Sequence, residues 1–310
     1  MLRRYHLLFI ALATAGGAAG QEQSLPGLAV HSPSDTILTR ADSLYIFSLL
    51  DSLMESPSTT GGSQFLVRTG YNSNITASGR PFALGNYGLS GGVGYLHHSG
   101  LYVDVSGYWS GEYSPSYFLT TATAGFMLAP HPDWTLAAEY SRFLYNLSDQ
   151  TYVAYTNSLN ATAFWHKGLV NLRTDYALYF GEKTGHRLSP TVALDLSSEK
   201  RWGLDKVRLM PMATIMLGTE SVSSYIAYST NPLIIRERIR RGLPLFYLVN
   251  ATKAGLMNYS MSLPLTIRKG GWDLLLGYTY NIPKALPGEQ LGLSAGGFFT
   301  CTLTRYFNAK

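Results

Sequence analysis

The stretch Tyr87 to Trp109, YGLSGGVGYLHHSGLYVDVSGYW, decides how this chain folds. Two runs of alternating residues meet at His97-His98-Ser99-Gly100, a connection short enough for a tight hairpin. On the second run Leu101, Val103, Val105 and Trp109 share one face, while Tyr102, Asp104, Ser106 and Tyr108 share the other. A period of two is that of a strand whose faces meet different surroundings. One such hairpin would suit a soluble sandwich equally well. Here the pattern recurs about a dozen times from Gln64 onward, with short and long connections taking turns, as in an antiparallel up-and-down barrel that crosses a membrane.

Composition supports that fold class. Charged residues make up 14% of the 310, against about 25% in an ordinary soluble domain. Hydrophobic residues are 46% and the mean hydropathy is +0.02, far too low for a bundle of spanning helices. Low charge with ordinary hydropathy follows when half of each strand meets lipid and half meets a polar lumen. The 22 tyrosines suit strands and membrane interfaces, and the 31 glycines suit turns and crowded interiors. A net charge of +5 with scattered basic residues argues against a nucleic-acid partner. A single cysteine, Cys301, excludes an intrachain disulfide and a multi-cysteine zinc site, and its place is expected in a barrel wall. No metal, cofactor, phosphate loop or dinucleotide fingerprint is expected.

Residues 1–20 carry Arg3 and Arg4, then an apolar run from Leu7 to Ala13, then small residues, which is the pattern of a secretory signal. Cleavage after Gly20 leaves Gln21 first. Residues 21–63 form a periplasmic or plug segment whose one persuasive helix is 42–55, with Asp42 or Ser43 as its cap. Leu44, Phe47, Leu50 and Met54 make its apolar stripe. That helix packs at the base of the barrel or enters the lumen. Residues 64–307 then supply about twelve strands, an even number as single-chain bacterial barrels require. Pro190 and Pro211 fall inside the eighth and ninth strands, where each removes a ladder donor, so bulges are expected there. Gly218 to Val249 is the longest expected loop. Trp134, Trp165 and Trp272 all lie at strand ends beside short turns, where an aromatic belt belongs.

With these features in place, the chain resembles the Gram-negative outer-membrane β-barrels over residues 64–307. The resemblance rests on the signal-like start, the hairpin series and the last strand, FFTCTLTRYF, which ends on the aromatic Phe307. Asn308-Ala309-Lys310 follow it, whereas the commonest form of that ending stops at the aromatic. The resemblance implies a bacterial outer-membrane location, contact with outer-membrane lipid and lipopolysaccharide, and delivery by the barrel-assembly machinery. It transfers no functional residue, because such barrels include porin-like solute channels, lipid-modifying enzymes and autotransporter pores.

Turning the apolar phase of each strand to lipid points the other phase inward. The expected lumen lining is Arg68, Tyr102, Asp104, Tyr108, Glu139, Asn171, Arg173, Asp175, Asp195, Arg208 and Asp273, joined by Tyr179. Charges of both signs belong inside, since one facing lipid costs about 2–4 kcal/mol at the midplane. Opposing Arg and Asp rows would orient a polar solute; alternatively they pair with each other in a closed lumen. In the long loop Arg236, Arg238, Arg240 and Arg241 form a basic cluster. It suits an ordered extracellular loop, a contact for lipopolysaccharide phosphates or an anion-favouring constriction.

The expected function is a passive channel for small polar solutes. The alternatives are a non-conducting structural or assembly partner and a lipid-acting enzyme. For an enzyme the candidate residues are His97 with Ser99, which are neighbours in a tight turn, and Glu182, His186 and Ser189 at the outer rim. His186 and Ser189 should point to opposite faces of one strand, so no catalytic residue is assigned.

Overall fold

The structure, a computed structural model, describes residues 62–308 except 75, 78–79, 82–86, 112, 147–152, 201–202, 288 and 290–292. The expected signal segment and the helix at 42–55 lie outside the described residues. Alternation carries the chain through twelve antiparallel strands. The first seven are β1 (Gln64–Asn72), β2 (Gly88–Leu96), β3 (Leu101–Ser110), β4 (Tyr117–His131), β5 (Trp134–Tyr145), β6 (Tyr155–Lys167) and β7 (Val170–Gly181). β8 is Thr184–Leu194 continued by Leu196–Glu199, and β9 is Lys206–Leu209 continued by Met212–Ala227. β10 (Phe246–Lys269), β11 (Trp272–Pro283) and β12 (Gly296–Asn308) complete the wall.

Each strand pairs with the one before it, and β12 returns to β1 with Asn308 opposite Gln64 and Thr300 opposite Asn72. The sheet is therefore closed, which removes the free edges that an open sheet would expose. The two phases of the strands meet opposite surroundings. On β3, Val103 and Val105 are 53% and 48% exposed, while Asp104 and Ser106 are 1% and 2% exposed. An exterior of leucine, valine and aromatic side chains around a polar interior is the inverse of a soluble protein. It is stable only where lipid is the outer solvent, and the chain is a closed membrane-spanning β-barrel. Its exterior carries aromatic residues near both ends of the strands. Phe65, Trp134, Trp272 and Phe307 lie at the end with short turns, and Tyr71, Trp109, Tyr280 and Phe299 at the other. Arg305 also faces outward, and its guanidinium lies 5.1 Å from the ring centroid of Trp272 and 5.5 Å from that of Phe307. Cys301 shares this outward phase of β12, half-buried.

Two expectations need correction. Pro190 and Pro211 cause no bulge: β8 and β9 stay in one register, with Leu188 opposite Leu217 and Thr191 opposite Thr214 on either side of Pro190. The ladder loses a rung and then resumes, which costs a hydrogen bond without adding a residue. The register shifts instead beside Phe118, Thr156 and Met257, each an extra residue in its strand, and between Leu128 and His131 near the β4–β5 turn. The second correction concerns Gly218 to Val249, which is mostly regular structure. β9 runs to Ala227, α1 (Pro232–Arg240) follows, and β10 begins at Phe246.

β11 ends at Pro283, opposite Asn258, and β8 begins at Thr184. The pairs from Val222 with Ala251 to Ala227 with Phe246 therefore stand beyond the neighbouring strands as a free hairpin. At its tip Asn231 caps α1 by accepting the Leu233 N–H at 3.0 Å, and Pro232 occupies the first turn. Arg238 and Arg240 sit in the last turn, where the helix dipole favours cations. No residue of α1 is buried, and Arg238 lies 3.8 Å over the ring of Tyr228.

Candidate functional site: the polar interior

The interior is built from the inward phase of the strands, and most of its charges are held in pairs. Arg68 on β1 reaches past β2 to Asp104 on β3, 2.5 Å away, and also donates to Ser106 Oγ at 2.7 Å. Ser106 in turn donates to Asp104 at 2.9 Å. The reach is possible because β2 presents glycine between them: a Cβ on Gly92 would stand 2.2 Å from Ser106 Oγ.

A second group spans β3 to β6. Tyr102 donates to Glu139 Oε2 at 2.8 Å, and Asn160 donates to Oε1 at 3.0 Å. Tyr102 crosses over Gly125 of β4, where a Cβ would lie 2.3 Å from the ring carbon Cζ. Gly125→Val should therefore push the phenol off Glu139 and lower stability by about 1–3 kcal/mol. Thermal unfolding of the variant in detergent checks this. An unchanged midpoint would show that the ring has room elsewhere.

Further round the wall, Arg173 Nε donates to Asp175 Oδ1 at 2.9 Å, and Thr162 Oγ1 donates to the same oxygen at 2.7 Å. Asp195 and Arg208 pair at 2.9 Å between β8 and β9. Asp273 accepts both Nε and Nη2 of Arg268, directly opposite on β10, at 2.7 and 2.6 Å. Asn171, 1% exposed, meets His166 Nδ1 at 2.8 Å. Tyr108 and Tyr179 are each 2% exposed, within an aromatic cluster that includes Phe118, Phe143 and Tyr155. Arg68 with Asp104, Tyr102 with Glu139, Arg173 with Asp175 and Asp195 with Arg208 are thus brought together, whereas Asn171 and Asp273 meet His166 and Arg268.

Two participants went unnoticed in the sequence. Arg187 and Glu220 pair at 2.6 Å near the long-loop end, and Tyr155 donates to Glu220 at 3.3 Å. Arg187 is in phase with Ser189 and Thr191, a signal that was legible; Glu220 lay in the supposed loop. Arg268 is a third, next to the Lys269-Gly270-Gly271 turn, where no alternation marks the inward phase.

The other candidates lie apart from this interior. Arg236, Arg238, Arg240 and Arg241 sit on or just after the exposed α1, with Glu237 bound to Arg240 at 3.0 Å and Arg241 at 2.6 Å. His186 faces outward and contacts Tyr176 Oη at 2.8 Å, while Ser189 takes the opposite phase. His97 Nδ1 does meet Ser99 Oγ, at 2.8 Å, although neighbours in a turn need not. The same nitrogen accepts the Ser99 backbone N–H at 3.3 Å, which is turn capping.

No protein-family model matches the chain, and no curated protein matches it. Among solved structures it is similar to the KdgM porin, at 6% identity and a TM-score of 0.42, over 79% of this chain and 99% of that one. It is similar to the translocator domain of the autotransporter NalP from Neisseria meningitidis, at 13% identity and a TM-score of 0.43, over 87% and 96%. LpxR from Salmonella typhimurium is matched at 9% identity and a TM-score of 0.42, over 78% and 100%. Likenesses this distant say nothing of solute, substrate or partner.

Proposed function

We infer that the barrel is a passive channel for small polar solutes. One observation carries this reading: about two thirds of the inward residues of β8 to β12 are half-buried, although Arg187, Thr214, Thr266 and Thr304 among them are sealed, whereas most of those of β1 to β7 are buried. Twelve strands fall between barrels narrow enough for side chains to fill and barrels wide enough for an open channel. A polar wall that water can reach along one side suits diffusion of small solutes.

Purified full-length protein in planar bilayers should give discrete conductance steps. Steps that appear only after deletion of residues 21–56 would make that segment a plug, and silence from both forms would overturn the channel. The packed half of the interior and the projecting hairpin favour a second reading, a non-conducting scaffold for another envelope protein. A hydrolytic reading draws no support from His186 and Ser189 on opposite faces. On the channel reading Arg236, Arg240 and Arg241, on or just after α1, meet lipopolysaccharide phosphates, and Phe307 marks the last strand for the assembly machinery.

A further inference from the structure

Most of the interior charge and most of the water-accessible surface lie on different parts of the wall. Arg68, Asp104, Glu139 and Arg173 belong to β1, β3, β5 and β7 and are buried, and Asp175, paired with Arg173, is half-buried. On β8 to β12 the charges stand only toward the two ends. Arg187 pairs with Glu220 at 2.6 Å toward the long loops; Asp195 pairs with Arg208 at 2.9 Å, and Arg268 with Asp273 at 2.6 Å, toward the short turns. Between those levels no described inward residue of β8 to β12 ionises. The half-buried surface there alternates hydroxyls, at Thr191, Ser260, Ser262, Thr279 and Thr300, with apolar side chains such as Met212, Met216, Leu275 and Phe298.

Such a band treats solutes unequally. An ion entering it gives up hydration, and the nearest charges, Arg173 and Asp175 opposite Thr191 and Ser189, are already bound to each other, so the wall prefers neither sign. A neutral solute rich in hydroxyls meets side chains that both donate and accept. Thr191 with Thr214 at 2.7 Å and Ser262 with Thr279 at 2.9 Å show hydroxyls already exchanging hydrogen bonds across strands. Met212 adds an adaptable apolar surface for C–H faces. We propose that the solutes served are uncharged and hydroxyl-bearing, of the sugar or polyol class. This rests on the channel reading.

Full-length protein reconstituted in liposomes tests it by swelling in arabinose, gluconate or glucosamine, with the potassium-to-chloride permeability ratio measured in planar bilayers. Arabinose is expected to enter about tenfold faster than either charged solute, and the ratio to lie within about threefold of unity, for a wall without net charge. Ser262→Asp should drive the ratio toward potassium while arabinose still enters. Entry of a charged solute as fast as arabinose, or a wild-type ratio beyond threefold, would overturn the neutral band and leave the channel standing. Absence of both swelling and current would overturn the channel itself. The wild-type measurements decide the matter even if the variant fails to assemble.

Discussion

Arg68→Met alone is expected to destabilise the barrel by about 3–5 kcal/mol, whereas Arg68→Met combined with Asp104→Leu should cost far less. The Asp104 side chain is 0% exposed, and Arg68 supplies its 2.5 Å partner. Removing only the guanidinium leaves a carboxylate with Ser106 as its remaining hydrogen-bond donor and no water to replace the lost charge. Removing both leaves an apolar gap of modest cost, because the Coulombic gain of a buried pair is largely cancelled by desolvation. Reversible guanidinium unfolding in lipid vesicles, followed by tryptophan fluorescence, gives the four corners of the double-mutant cycle. A single variant as mild as the double would mean that Asp104 is reached by water after all.

Val105→Arg should cost about 2–4 kcal/mol, the value for arginine facing lipid near the bilayer midplane. Val105 lies midway along β3 and is 48% exposed on the apolar exterior. Ser260→Arg, an inward substitution at a half-buried position of β10, is expected to change stability much less. The same unfolding assay compares them. Equal costs, or the reverse order, would show that the two phases are assigned to the wrong sides.

Alternation made the strand count legible because the bilayer imposes it on every spanning residue: Leu101, Val103 and Val105 must meet lipid, so their neighbours cannot. Where that constraint lapses, so does the signal. The hairpin from Val222 to Ala227 and Phe246 to Ala251 stands beyond its neighbouring strands, where no lipid face selects every second residue, and it passed for loop. Helix α1 was signalled only by Asn231-Pro232 and its arginines. The interior residues were legible by phase, but their partners were not. Nothing local says that Tyr102 reaches Glu139 across an intervening strand, since that contact depends on the missing side chain of Gly125. The prolines misled because a lost donor was equated with an inserted residue, and the wall tolerates the first without the second.

The pairing of the interior charges also bears on how such a wall enters a bilayer. Arg173 and Asp175 lie on one strand; Asp195 with Arg208, and Arg268 with Asp273, lie within single hairpins. A chain threaded in hairpin by hairpin therefore brings most of its ionic groups already cancelled against a near neighbour in sequence. Arg68 must wait for the third strand before Asp104 answers its charge, and Glu139 is met by Tyr102 and Asn160 rather than by a cation, so the first three strands are the smallest N-terminal piece in which Arg68 is neutralised.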